Sequence, residues 1–236
     1  MKLSVPIYQL KRKAKLLARI DDIPLHQALD RIAREQGYTG WSLLAAQHEQ
    51  PPSATSVLSR LTEGDLVLLG ARPGHGKTML GLRLLLDAVR EDRTATFFTL
   101  EYTEQESRRR IHSLSGGTEL GDKVEIVTSD EISADYIMRH MSDSPCGAVA
   151  VIDYLQILDQ KRSKPALSEQ VPVLRDFARS TGVVLAFISQ VDRSFDPDMK
   201  ALPDMKDIRL PNPIDLKLFT KACFLHDGEA RFQEVA

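Results

Sequence analysis

Cysteine is scarce in this chain. Cys146 and Cys223 are the only two in 236 residues, far apart and without metal-ligand spacing. They read as reduced, partly buried residues of a cytoplasmic protein. Long apolar runs are missing too. No stretch approaches the ~20 residues of a membrane span, and the N-terminus lacks the charged-then-apolar order of a signal peptide. A cytoplasmic protein with no membrane partner is expected. Charge of one sign is absent as well: 31 Lys and Arg stand against 33 Asp and Glu, a net −2. That gives no global pull toward nucleic acid, so any DNA binding must come from local patches. No repeat or low-complexity tract stands out. What remains, an apolar fraction of 42 % in 236 residues, suffices for one α/β domain with a small appendage.

The most informative stretch is Ala71-Arg72-Pro73-Gly74-His75-Gly76-Lys77-Thr78. It follows the apolar run Leu66–Gly70 and precedes a leucine-rich helical pattern from Met79. Strand, glycine turn and helix N-terminus come in the order a phosphate-binding loop requires. Backbone N–H groups and the positive end of the helix dipole then converge on one spot. Lys77 would reach the β- and γ-phosphates, and the Thr78 hydroxyl would hold Mg²⁺. The residues taken to line a nucleotide are Arg72, Pro73, Gly74, His75, Gly76, Lys77, Thr78 and Met79. His75 reads as a backbone spacer without a chemical role. The usual loop begins with Gly, and Ala71 stands there instead.

Three further strand ends carry polar residues. Ala148–Asp153 is an apolar, β-branched run of the kind buried on both sheet faces, closing on a carboxylate. Asp153 is placed where ligands bind in an open α/β sheet, opposite Thr78 across Mg²⁺. Thr94–Leu100 ends at Glu101, which reads equally as a general base for water and as an N-terminal acid of a helix over Thr103–Ser113. Val183–Ile188 ends at Ser189-Gln190, and Gln190 is suited to sense a γ-phosphate and relay its loss to the following loop. Strands alternating with helices predict a mainly parallel sheet with helices on both faces. Val124–Val127 and Lys221–His226 are further strands, and Ser133–Met141 a helix.

Four segments in order carry a family resemblance: Ala71-Arg72-Pro73-x-x-Gly76-Lys77-Thr78, Thr99-Leu100-Glu101, Val151-Ile152-Asp153-Tyr154-Leu155-Gln156 and Ser189-Gln190-x-x-Arg193-Ser194. Together they resemble the C-terminal motor domain of DnaB-type replicative helicases, within the RecA-like P-loop ATPases, over about Leu61 to Arg193. The resemblance implies a RecA-like fold, ATP and Mg²⁺ as ligands, Glu101 as the water-activating base, and a ring-forming helicase or translocase acting on single-stranded DNA. It departs from the family in three places. About sixty residues precede the motor, where the family has a larger helical domain. Phe195–Pro213 carries four prolines and several acids where the family has a small-residue, DNA-facing loop. The family's basic Lys-x-Arg finger has no counterpart, Arg209 and Lys221 being the nearest candidates. Such a finger is worth about 10³–10⁵ in turnover. The departures leave an alternative: a slow or non-hydrolysing, nucleotide-controlled switch that presents its N-terminal module to a protein partner.

The chain divides into a helical module over 1–50, a linker over 51–60 marked by Pro51 and Pro52, and the ATPase domain over 61–236. In the module, Leu10, Ala14, Leu17 and Ala18 share a helix face opposite a basic run of Lys11, Arg12, Lys13, Lys15 and Arg19. That run, with Lys2, is either a phosphate contact or a solvated face. Leu25, Leu29, Ile32 and Ala33 share a second face, and Trp41 anchors a third short helix. In the motor, Lys161, Arg162 and Lys164 read equally as a strand-tracking loop and as ordinary surface charges. Phe195 is the one obvious residue for stacking on a base.

Overall fold

The computed structural model describes residues 7–48, 57–160, 164–196, 199–200, 202–209, 212, 214–226 and 229–235. Lys2, Lys161, Arg162 and the linker residues 51–56 lie outside them. Two compact units result, one of residues 1–52 with 227–229 and one of 53–226 with 230–236.

The first unit holds α1 (Ile7–Ile20), α2 (Leu25–Glu35) and α3 (Trp41–His48). Residues three and four apart lie on one helix face, so Leu10 and Ala14 meet Ala28, Ile32 and Ala33 in a small core closed by Tyr38 and Leu44. The expected face of α2 is kept at Leu29, Ile32 and Ala33 but not at its first residue. Leu25 is 44 % exposed, and Ala28 takes the inner position. The Trp41 N–H donates to Asp30 Oδ1 at 2.8 Å, which fixes the start of α3. Lys13 of the basic run pairs with Glu35 at 2.7 Å.

The second unit is built on a seven-stranded sheet ordered β3-β2-β4-β5-β1-β6-β7. Its strands are β1 (Leu66–Ala71), β2 (Ala95–Thr99), β3 (Val124–Val127), β4 (Val149–Asp153), β5 (Val184–Gln190), β6 (Lys221–His226) and β7 (Glu229–Glu234). Between them run α4 (Lys77–Arg90), α5 (Glu104–Leu114), α6 (Ala134–Met141) and α7 (Leu167–Thr181). β1 lies parallel to β5 and β6, β2 to β3 and β4, and β4 to β5. Side chains alternate across the sheet. Val67, Leu69, Phe97, Val151 and Ile188 therefore pack with α4 and Ile111 of α5. Leu66, Leu68, Phe98, Ile152 and Phe187 pack on the other face with α6 and α7. Helices thus cover both faces, which is why the strands read as continuous apolar runs.

Some particulars depart from the sequence expectation. Val57 and Leu58, read as linker, are buried in the core of the second unit. Cys146 is exposed rather than partly buried. Cys223 is buried, and that burial raises its thiol to about 12. β7 was not anticipated. No described helix is long and apolar enough to cross a membrane.

Parallel pairing carries the C-terminal ends of β1, β2, β4, β5 and β6 to one edge of the sheet. Helix α4 lies close against that sheet at Gly81, where an added Cβ would stand 2.8 Å from Val151 Cγ1 and 3.1 Å from Ile188 Cδ1. Gly81→Ala gains up to about 1 kcal/mol of helix propensity. Overpacking a filled core costs about 1–3 kcal/mol. Gly81→Ala is therefore expected to lower stability by about 1–2 kcal/mol in urea unfolding. An unchanged or raised midpoint contradicts the close approach.

Candidate functional site

β1 leaves the sheet at Ala71 and turns at once. The His75 N–H donates to Arg72 O at 3.1 Å, and Gly74 and Gly76 take φ of +80° and +84°. L side chains rarely adopt that region. A Cβ at either glycine meets nothing within 4 Å, so the loop curls around open space. Gly76 is the N-cap of α4. No side chain caps this helix and no acid lies in its first turn. Its leading N–H groups and the positive dipole end are left to an anion. Lys77 and Met79, both half-buried, lie in the first turn of the helix.

Thr78 and Asp153 meet although 75 residues separate them. The Thr78 hydroxyl donates to Asp153 Oδ2 at 2.8 Å, inside the protein. Asp153 is 1 % exposed, and its Oδ1 is buried without a hydrogen-bond partner. Burial pushes the Asp153 carboxyl above its ordinary value and the Glu101 charge adds to this; the Thr78 hydrogen bond and the charges of Lys77 and Arg110 oppose it. The hydroxyl and the under-satisfied carboxylate form an oxygen-donor pair suited to Mg²⁺ and its water, and the N–H groups of the loop beside them suit a phosphate. The residues present fit that ion and a phosphate chain.

Glu101 lies two residues beyond Thr99, which pairs with Asp153 across β2 and β4. Its backbone N–H donates to Thr99 Oγ1 at 3.1 Å, and its exposed carboxylate is close enough to Asp153 to shift it. Gln190 ends β5 beside Ala71. It lines a cavity of about 210 Å³ with Tyr154, Gln156 and Arg209. The chain after β5 folds back on it. Arg209 N–H donates to Gln190 O at 2.8 Å, and Val191 and Ile208 form an antiparallel bridge. Loop, carboxylates and amide are therefore gathered along one sheet edge.

Other expectations are corrected. Phe195 is 4 % exposed, edge-on to His226 at 5.2 Å and beneath Arg72 at 5.9 Å, so it is not available to stack on a base. Arg72 also donates to Arg193 O at 3.2 Å. His75 is more than a spacer, since its ring stacks on His226 at 5.2 Å. Lys164 donates to Ile132 O at 2.6 Å and Ile157 O at 3.2 Å, which ties it to the fold. Lys221 pairs in register with Val67, away from this chain's own phosphate loop, and forms an ion pair with Asp65 at 2.8 Å. Burial pushes the Asp65 carboxyl up, but hydrogen bonds from Lys221, Thr62 and Thr220 outweigh it and hold the carboxyl below its ordinary value. Arg209 faces its own chain's Gln190 cavity. His226 and Tyr102 are site groups that sequence reasoning missed; strand-end position is the signal for the first, and the place just before the N-cap Thr103 for the second.

The known proteins similar to this chain agree with its geometry. Residues 54–133 match the model of the DnaB-like helicase C terminal domain. The replicative DNA helicase DnaB of Helicobacter pylori (strain J99) is 23 % identical over 214 residues, covering 75 % of this chain and 44 % of that protein. The same protein of Geobacillus stearothermophilus is 27 % identical over 204 residues, covering 70 % and 44 %. The chain thus spans less than half the length of these curated relatives. A solved DnaB-like replicative helicase, described with its interactions with primase, superposes with a TM-score of 0.59 at 20 % identity, covering 93 % of this chain and 67 % of that one. The fold is RecA-like, and residues 54–133 are similar to the DnaB-like helicase C terminal domain.

Asp153 also makes a stability prediction. A carboxyl raised on folding contributes stability below its unfolded value, about 4, and loses it as pH rises through the folded value. At neutral pH the ionised Asp153 is a cost that Asp153→Asn removes. The variant is expected to unfold at a higher urea midpoint than wild type at pH 7 without nucleotide, the gap closing below about pH 4. Mg²⁺ dependence of nucleotide binding should be lost with it. A lower midpoint at pH 7 contradicts the under-satisfied carboxylate.

Proposed function

We propose that this chain is a Mg²⁺-dependent, ATP-hydrolysing motor of the DnaB-like helicase or translocase type, acting on single-stranded DNA. The observation that carries the reading is the buried Thr78–Asp153 hydrogen bond beneath an open, uncapped phosphate loop. The N–H groups at Gly74 and Gly76 and the Lys77 ammonium bind the phosphates. Thr78, and Asp153 through water, hold Mg²⁺, which when bound neutralises charge on the β- and γ-phosphates. Glu101 orients and deprotonates the attacking water. Gln190 contacts the γ-phosphate and passes its loss to the chain that folds back through Arg209. The protein's part is positioning and charge stabilisation. A homo-oligomeric ring, a protein partner at the helical module and a cytoplasmic location go with this reading.

One observation favours the second reading, a slow nucleotide-controlled switch. Lys200 spends its charge on Asp204 and Asp207, each at 2.7 Å, which clasps the chain after β5 rather than offering a cation to a phosphodiester.

Steady-state ATP hydrolysis with and without single-stranded DNA separates the two. The motor reading expects turnover that rises with DNA. Lys77→Ala should abolish it through lost nucleotide binding, and Glu101→Gln should lower it at least about 100-fold with binding kept. DNA-indifferent turnover with ATP still bound supports the switch. Unchanged turnover in Lys77→Ala overturns the site itself.

A further inference from the structure

Three consecutive arginines, Arg108, Arg109 and Arg110, lie on α5, and the structure gives them different work. Arg108 donates to the carbonyls of Gly121 at 3.0 Å and Val124 at 2.9 Å. Arg109 turns back to Gln105 O at 3.4 Å. The Arg110 side chain makes no hydrogen bond or ion pair among the described residues. Its guanidinium stands 4.1 Å from the centre of the Tyr102 ring. Seven residues, two helical turns, separate it from the N-cap Thr103, so both lie on one face. Helical side chains lean toward the N-terminus, which carries the guanidinium back over Tyr102.

We propose that Arg110, through the face of Tyr102, is a positioning residue that fixes the carboxylate of Glu101. This rests on the reading of Glu101 as the base that orients water. The short segment from Thr99 to Thr103 is anchored at both ends. The Glu101 N–H is held by Thr99 Oγ1 at 3.1 Å. Thr103 closes a capping box with Glu106, its N–H donating to the Glu106 carboxylate at 3.0 Å. Tyr102 lies between these anchors and has no other ring contact among the described residues. The Glu101 side chain, adjacent and exposed, has no hydrogen-bond or ion-pair partner among the described residues. The cation over the Tyr102 face therefore removes the freedom left to the segment.

A small displacement of a catalytic group is costly, since an error near 1 Å is worth on the order of 100-fold in rate. Arg110→Ala and Tyr102→Leu are each expected to lower kcat about 10- to 100-fold, with the Kd for Mg·ATP, read by a fluorescent analogue, within about threefold of wild type. The double variant should be no slower than the slower single, because both remove one contact. Tyr102→Phe keeps the ring face and should lose several-fold less than Tyr102→Leu. Additive losses, an unchanged kcat, or an affinity loss matching the kcat loss would each overturn the proposal, the last by making Arg110 a direct phosphate contact. Glu101→Gln in the same assay separates the failures. If that variant keeps its turnover, or wild type has none, the underlying reading of Glu101 falls and this inference with it. If Glu101→Gln is inactive and Arg110→Ala is not, only the inference falls.

Discussion

One hydrogen bond, from the Thr78 hydroxyl to Asp153 Oδ2, holds the candidate site together. It ties the first turn of α4 to the end of β4, two elements joined by no local sequence. It can form only if β1, β5 and β4 lie side by side and parallel, with α4 pressed onto them at Gly81. Slippage of β4 by one residue would turn Asp153 to the other face and bring Ile152 toward Thr78. The apolar alternation of the strands thus does more than fill a core. It sets the register in which a carboxylate meets a hydroxyl beneath an open loop.

The same arrangement carries an electrostatic cost. Asp153 is buried with one oxygen unpartnered, and its nearest acid, Glu101, raises it further. Elsewhere in this fold a buried acid is fully answered. Asp65 has Lys221, Thr62 and Thr220 around it and is held below its ordinary value. Two aspartates at opposite ends of the sheet therefore differ in what surrounds them. One stabilises the fold, while the other is kept short of partners at the end where ligands bind in open α/β sheets. Perturbed groups of the second kind cluster at functional sites.

Much of this was legible in the sequence, for physical reasons. Strands buried on both faces are continuous apolar runs, so β1, β2, β4 and β5 could be read together with the polar residues at their ends. A glycine turn between strand and helix marks a phosphate loop without any tertiary information. What escaped is what depends on partners remote in sequence. A lysine carries the same charge whether it faces solvent or ties down carbonyls, so Lys164 and Lys221 could not be told from free cations. Phe195 sits among loop residues, and only the arrival of His226 and Arg72 buries it. Leu25, the first residue of α2, is left exposed while Ala28, Ile32 and Ala33 are buried. β7 has a mixed, partly charged sequence, as an edge strand does, and gave no apolar run to detect.

The central claim is that Thr78 and Asp153 form a seat for phosphate and Mg²⁺. The most direct measurement is the affinity of a fluorescent ATP analogue with Mg²⁺ present and with the ion removed by a chelator. The account predicts binding at least about tenfold tighter with Mg²⁺, a difference of about 1.4 kcal/mol. Equal affinity in the two conditions, or no binding in either, would contradict it.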